Sequence, residues 1–172
     1  MSYSKFAYRS SIQIHCGHST TVKSDKVLEM EKLQFHHLEP IQFPLIQRFY
    51  KQFYPTSKPK RNEKALIVRA ADTLNIVACV RFRQVDPHYQ LLTGMAVSTE
   101  QRGQGIGKAL LAYCQQNILD NKCYCFAYSH LTDFYKAHGF VPLEAGQLPL
   151  SIKVLYHRYT NSGKSLVAMQ YL

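Results

Sequence analysis

Tryptophan is absent from this chain of 172 residues, and acidic residues are scarce: 11 Asp and Glu stand against 21 Lys and Arg, a formal charge of +10. Cysteine occurs five times, at Cys16, Cys79, Cys114, Cys123 and Cys125, but never as a CxxC pair. The odd count suits reduced thiols packed in a core better than a disulfide framework. No run of 18 apolar residues occurs, and MSYSKFAYRSSIQ lacks the apolar core of a signal peptide, so a soluble cytoplasmic protein outside the membrane is expected. The positive charge favours an anionic ligand or a solvated basic surface. No RNP, zinc-finger or helix-turn-helix pattern turns it into a case for nucleic acid. His15, Cys16 and His18 lack a second ligand pair, so no metal site is expected.

What is present suffices for one core: 46% of residues are hydrophobic, and the length is within the single-domain range. Residues 1–30 are rich in Ser, Thr and Tyr without apolar periodicity, and read as an appendage to a domain spanning residues 31–172. They carry Lys5, Arg9, Lys23 and Lys26 against Asp25 and Glu29, so the domain without them keeps a formal charge of +8.

From Lys32 onward, Leu33, Phe35 and His37 alternate with polar partners as a strand does. After Pro40, the residues Ile41, Leu45, Ile46, Phe49 and Phe53 recur at helical spacing and are expected to form a buried face, with Pro40 and Pro44 in or near the first turn. The segment YPTSKPKRNEK, residues 54–64, combines prolines with Lys58, Lys60, Arg61 and Lys64 and reads as an exposed loop. Residues 65–70, 75–85 and 89–97 are rich in Val, Ile, Leu and Phe and separated by turn signals, which predicts an antiparallel meander. A helix with Ile106, Leu110, Leu111, Cys114 and Ile118 in one stripe then leads to a strand at 124–128, parallel to the last meander strand by the crossover rule. A short helix over 131–138 stops at Gly139, where a left-handed residue is wanted. Leu148, Ile152, Leu155, Tyr156 and Tyr159 share the face of a further helix ended by Gly163, and LVAMQYL supplies a closing strand. The predicted class is α/β of the α+β type: a mixed central sheet in which an antiparallel meander is followed by a βαβ crossover, flanked by helices.

Between the last meander strand and its helix lies QRGQGIGK. Gly103, Gly105 and Gly107 keep side chains out of this loop, so backbone amides can close around an anion at the positive end of the helix. A Walker loop would need Gly where this chain has Arg102 and a hydroxyl where it has Ala109. A dinucleotide fingerprint would need two residues between its last glycines, and only Ile106 separates Gly105 from Gly107. What remains is RxxGxG, from Arg102, Gly105 and Gly107. One helix later, CYCFAYSHLTDFYKAHGF places Phe134, Tyr135, Gly139 and Phe140 in the spacing FYxxxGF.

The two patterns, in this order and at this separation, resemble the GNAT superfamily of acyl-CoA-dependent N-acetyltransferases, a resemblance that element order extends over residues 32–172. It implies acetyl-CoA as cosubstrate, no metal, and transfer of acetyl to a primary amine of a small molecule or protein within a ternary complex. Met95, Ala96 and Val97 would hold the pantetheine arm through their backbone. Arg102, Gly103, Gln104, Gly105, Ile106, Gly107 and Lys108 would bind the pyrophosphate. Tyr135 would lie beside the CoA sulfur as the acid, while Phe134 is expected in the core. His130, just beyond the 124–128 strand, is the candidate base, because imidazole titrates near neutrality. Two departures stand out: Tyr128 occupies a position where many relatives carry Asn, and no helix is evident between residues 54 and 64, on the acceptor side. MEKLQFHHLEP at Met30 looks like a usual start for the family, so translation from Met30 is one expectation. The alternatives are a noncatalytic acyl-CoA-binding module, and an enzyme acting on an RNA-linked amine such as aminoacyl-tRNA. The sequence specifies neither the amine nor the oligomeric state.

Overall fold

The computed structural model describes residues 33–172. The appendage, the expected start at Met30 and the group His15, Cys16 and His18 lie outside the described residues. Seven strands form one sheet: β1 Leu33–His37, β2 Lys64–Ala70, β3 Ile76–Gln84, β4 Gln90–Val97, β5 Cys123–Tyr128, β6 Phe140–Pro142 and β7 Leu166–Tyr171. Four helices accompany them: α1 Phe43–Phe53, α2 Ile106–Asn117, α3 Thr132–Lys136 and α4 Leu150–Thr160. The sheet order is β1-β2-β3-β4-β5-β7-β6, with β4 and β5 parallel and the other neighbours antiparallel. The meander and the crossover helix therefore form as their periodicity predicts. Among the described residues no helix is long and apolar enough to cross a membrane.

Strand alternation sorts the core onto the two sheet faces. One face packs Val80, Phe82, Leu92, Cys125 and Met169 against Ile106, Leu110, Leu111 and Cys114 of α2 and Tyr135 of α3. The other is covered by α1, through Phe43, Ile46, Phe49 and Tyr50 over Ile67 and Cys79, and by α4, through Ile152 and Leu155 over Leu91, Tyr124 and Ala168. Each large apolar side chain buried in this way contributes roughly 1.5–3 kcal/mol of transfer free energy.

The buried face of α1 differs from the expected one. Ile41 is 89% exposed and Leu45 37%, while Phe43 and Tyr50 are buried in their place. The cause is a 3-10 turn over Pro40–Gln42 that delays the α-helix to Phe43, with Pro44 in its first turn. Counting helical phase from Pro40 thus rotates the stripe. The short helix after β5 is also shorter than expected, since a 3-10 turn over Ser129–Leu131 precedes α3. Leu148 is buried but precedes α4, and α4 ends at Thr160, with Gly163 following at φ +80°.

Arg81, in the middle of β3, is 4% exposed. Its guanidinium pairs with the buried carboxylate of Glu63, donates to Ser57 Oγ at 2.5 Å and to the Lys58 carbonyl at 3.3 Å, and lies 4.7 Å from the ring centre of Tyr50. This ties the 54–63 loop to the sheet, so the segment is exposed along its outside but anchored underneath. Removing one partner of a buried ion pair leaves an uncompensated charge. Glu63→Ala is therefore expected to cost about 3 kcal/mol in urea unfolding. Glu63→Leu combined with Arg81→Met should recover most of that loss, and a loss below about 1 kcal/mol for the single change would contradict the pairing.

Burial also raises the cysteine thiols: Cys79, Cys114 and Cys123 are each pushed up from 9.0 to about 12, and Cys125 well above its ordinary value. The unfolded chain ionises these thiols near pH 9 while the folded chain still holds the protons. Stability is then complete below pH 9 and declines as pH rises from 9 towards 12, with a slope of about 1.4 kcal/mol per pH unit for each thiol. Urea midpoints measured under reducing conditions between pH 8 and 11 should show this fall; a flat profile would refute it.

Candidate active site

The parallel pair β4 and β5 is hydrogen-bonded only from Gln90 to Leu92 against Cys123 to Cys125. Beyond that the two strands part. The register of β4 on β3 explains why: Cys79 faces Ala96 but Arg81 faces Thr93, so Gly94 and Met95 together oppose Val80 in a bulge. Gly94 has φ +61°, and a Cβ there would lie 2.6 Å from Arg81 Nη2 and 3.0 Å from Tyr50 Oη. Only glycine fits this position without displacing both side chains. The Tyr50 hydroxyl donates to the Gly94 carbonyl, fixing the bulge from the α1 side.

The gap opened in this way is a cleft of about 550 Å³ that passes between β4 and β5. Thr93 to Val97 line one wall, Cys125 to Tyr128 the other, with Phe134 and Tyr135 from α3 and Phe53, Tyr54, Tyr159 and Lys164 from the opposite sheet face. Past Leu92, β4 has no strand on its β5 side, so the amide and carbonyl groups of that edge face the cleft. Met95, Ala96 and Val97 are on this edge.

The glycine loop runs from β4 to the start of α2. Gly103 and Gly105 have φ +79° and +87°, and a Cβ on either would meet nothing within 4 Å. Their conformation thus demands glycine although their surroundings are open. The first bond into the helix is from the Ala109 amide to the Gly105 carbonyl at 3.0 Å. Among the described residues the amides of Gly103, Gln104, Gly105, Ile106, Gly107 and Lys108 are not used in loop or cap bonds, which leaves a run of donors at the positive end of α2. This geometry fits a diphosphate. The side chains contribute less than the amides: Ile106 is buried in the core, Gln104 reaches the Glu100 carbonyl, and Arg102 donates from Nε to the Val97 carbonyl at 3.2 Å while lining the cleft. Lys108 is exposed. Gly107 is close-packed: a Cβ there would lie 3.7–3.8 Å from the side chains of Met95, Phe134 and Val97.

Tyr135 is 8% exposed, lines the cleft, and points its hydroxyl at Met95 Sδ, 3.9 Å away. Burial, reinforced by Cys125 and Tyr54, pushes its phenol well above the ordinary value of 10.0, so it carries its proton at neutral pH. Phe134 is half-buried: it packs against the core and also forms part of the cleft wall, edge-on to Tyr135 with ring centres 5.3 Å apart. His130 is exposed at the rim, in the turn before α3, with its ring 5.8 Å from that of Tyr128. Tyr54 is raised to about 12 by burial and by the facing Tyr128 hydroxyl. Sequence reasoning misses Tyr54, Phe126, Tyr159 and Lys164 as lining residues, and only Tyr128 carries a signal, as a departure from a pattern. No group of three His, Cys, Asp or Glu able to hold a metal occurs among the described residues.

Residues 63–142 match the family described as "Acetyltransferase (GNAT) domain". No protein of curated function matches the chain in sequence. Among solved structures, Rv2747 from Mycobacterium tuberculosis in complex with CoA is similar over 81% of this chain and 99% of its own, at 15% identity and a TM-score of 0.61. The ribosomal-protein-S18-alanine N-acetyltransferase from Escherichia coli is similar over 81% and 92%, at 13% identity and a TM-score of 0.54. N-acetylglutamate synthase from Neisseria gonorrhoeae, complexed with coenzyme A and N-acetyl-glutamate, shares 15% identity with a TM-score of 0.58 over 81% of this chain. This chain spans only 34% of the synthase's length.

The loop geometry has a direct test. Gly105→Ala forces a left-handed residue to carry a side chain, at about 1–2 kcal/mol of strain, and should weaken coenzyme A binding about tenfold by calorimetry. Gly146→Ala, which meets nothing within 4 Å and has no positive φ, serves as the control and should leave affinity unchanged. Equal affinities for both variants would remove the loop from the binding site.

Proposed function

We propose, from the match of residues 63–142 to the family described as "Acetyltransferase (GNAT) domain", that the protein moves acetyl from acetyl-CoA to a primary amine by direct transfer in a ternary complex. The observation that carries the reading is the cleft between β4 and β5, with unused loop amides at one end and a buried, protonated phenol inside.

Acetyl-CoA supplies a thioester carbonyl open to attack by a neutral amine. The amides of Gly103 to Lys108 bind its diphosphate, with Arg102 and Lys108 adding positive charge nearby. The open edge of β4 at Met95, Ala96 and Val97 pairs with the pantetheine amides as a further strand would, and offers an amide donor to the acyl oxygen as charge develops there. Tyr135 donates its phenolic proton to the sulfur as the thiolate departs. His130 receives the amine proton, directly or through a water, at the mouth of the cleft.

The thiols support direct transfer rather than a cysteine-linked acyl-enzyme. Cys125 is the cysteine lining the cleft, and burial holds it well above its ordinary value, so it offers no thiolate nucleophile at neutral pH.

Release of free thiol from acetyl-CoA in the presence of a panel of amines tests the activity; tight CoA binding with no amine-dependent release would instead favour a noncatalytic acyl-CoA-binding module. Tyr135→Phe is expected to lower kcat roughly 10²-fold, the lower end for general acid catalysis, with CoA affinity within about twofold of the parent. His130→Gln should lower kcat with CoA affinity within about twofold of the parent. A Tyr135→Phe variant as fast as the parent on the same amine would eliminate the acid role.

A further inference from the structure

The cleft crosses the sheet, and its two ends differ in composition. On the α2 and α3 side are the glycine loop and Tyr135; on the α1 and α4 side are Phe53, Tyr54, Phe126, Tyr128, Tyr159 and Lys164. We propose that this second end receives a compact amine with an aromatic or apolar body and a carboxylate, the carboxylate pairing with Lys164, a reading that rests on acetyl transfer at the same site.

Three observations carry it. First, no Asp or Glu lines the cleft among the described residues. Glu63, in the loop after Tyr54, is buried and neutralised by Arg81, and Asp133, next to Phe134 in the chain, is exposed and pairs with Lys136. A polyamine or a doubly charged acceptor would then bring its second cation into a wall with nothing to pair it and with Lys164 to repel it. Secondly, five rings form the walls of this end. Phe126 packs edge-on against Tyr156 at 5.2 Å and Tyr159 at 5.7 Å, a fixed apolar floor for a flat or branched body. Thirdly, Lys164 is exposed at this end of the cleft and has no anionic partner among the described residues. Its Nζ lies 5.6 Å from the centre of the Tyr159 ring, and the only ion pairs among the described residues are Arg81 with Glu63 and Lys136 with Asp133.

The backbone around Lys164 is pinned on its far side. The Ser129 amide donates to the Ser165 carbonyl at 3.3 Å, the two serine hydroxyls are 2.7 Å apart, and Tyr156 donates to the Leu166 carbonyl at 2.8 Å. Lys164 and His130, the chain neighbours of these paired serines, both line the cleft. An acceptor whose carboxylate meets Lys164 therefore has its amine directed into the gap between β4 and β5, where transfer takes place.

The test compares phenylalanine, tyrosine and 4-(aminomethyl)benzoate, each paired with its amide, together with spermidine. Two readouts are kept separate: saturation-transfer NMR on the full chain loaded with CoA for binding, and thiol release from acetyl-CoA for turnover. Each free acid should bind and react about tenfold better than its amide, the gain expected of one charge-assisted contact. Lys164→Gln should close that gap, and Lys164→Arg should keep it. Amides or spermidine preferred by either readout, or a gap untouched in Lys164→Gln, would overturn the proposal; preference for the amides would also point to an ester-linked amine such as aminoacyl-tRNA. Binding preference without any thiol release leaves this selectivity standing and removes the transferase reading, whereas turnover without preference does the reverse.

Discussion

Everything at the cleft depends on one bulge in β4. Two residues, Gly94 and Met95, stand where β3 has only Val80, and the strand turns away from β5 after three paired residues. An open edge in the middle of a sheet leaves polar backbone groups without partners, and a sheet left to itself would close it. Here closure is opposed by side chains beneath. Arg81 fills the space over Gly94, Tyr50 ties down the Gly94 carbonyl, and Glu63 with Ser57 holds Arg81 in place. A buried ion pair is weak evidence for stability, but it has a fixed geometry that an apolar group of equal size would lack. In this chain that geometry keeps β4 bent and the cleft open.

How much of this can be read in sequence follows from how local each feature is. The glycine loop and the FYxxxGF segment are contiguous, and each is set by backbone requirements that a spacing expresses directly: left-handed residues at Gly103, Gly105 and Gly139, and the aromatic pair on one short helix. The six strands read from the sequence are legible for a similar reason, since alternation, turn residues and the crossover rule act over short stretches. The face of α1 is not, because a single 3-10 turn shifts helical phase, and Ile41 and Leu45 look as apolar as the residues that replace them. Arg81 gives no signal at all. One arginine inside IVACVRFRQ resembles the solvent-facing member of an alternating strand, and its partner Glu63 comes from a loop that reads as exposed.

The cleft itself divides along the same line. Its α2 side is assembled from residues 95–108 and 134–135, two stretches that touch because consecutive elements pack together. Its α1 side joins Phe53 and Tyr54, then Phe126 and Tyr128, then Tyr159 and Lys164, from three regions widely separated in the chain. No spacing rule links such residues, because the sheet order, with β7 inserted between β5 and β6, is what brings Ser165 against Ser129 and puts Lys164 and His130 on the same cleft. Cofactor chemistry is therefore written in motifs, and acceptor chemistry in topology.

The net charge acquires a different meaning from this arrangement. A formal charge of +10 suggests any anionic partner at long range, but selectivity in a cleft is settled by the few charges that line it. There Arg102 stands on one wall and Lys164 on the other, with no carboxylate between them among the described residues. Positive charge at the diphosphate end suits the cosubstrate, whereas a second positive charge across the sheet does nothing for a cofactor already bound on the far side. On the proposed reading it acts on an acceptor that enters from the α1 face, where it can meet an anion. An amine acceptor is itself cationic before it loses its proton, so an acceptor carrying a carboxylate arrives neutral overall and escapes the repulsion that a bare amine would meet at Lys164.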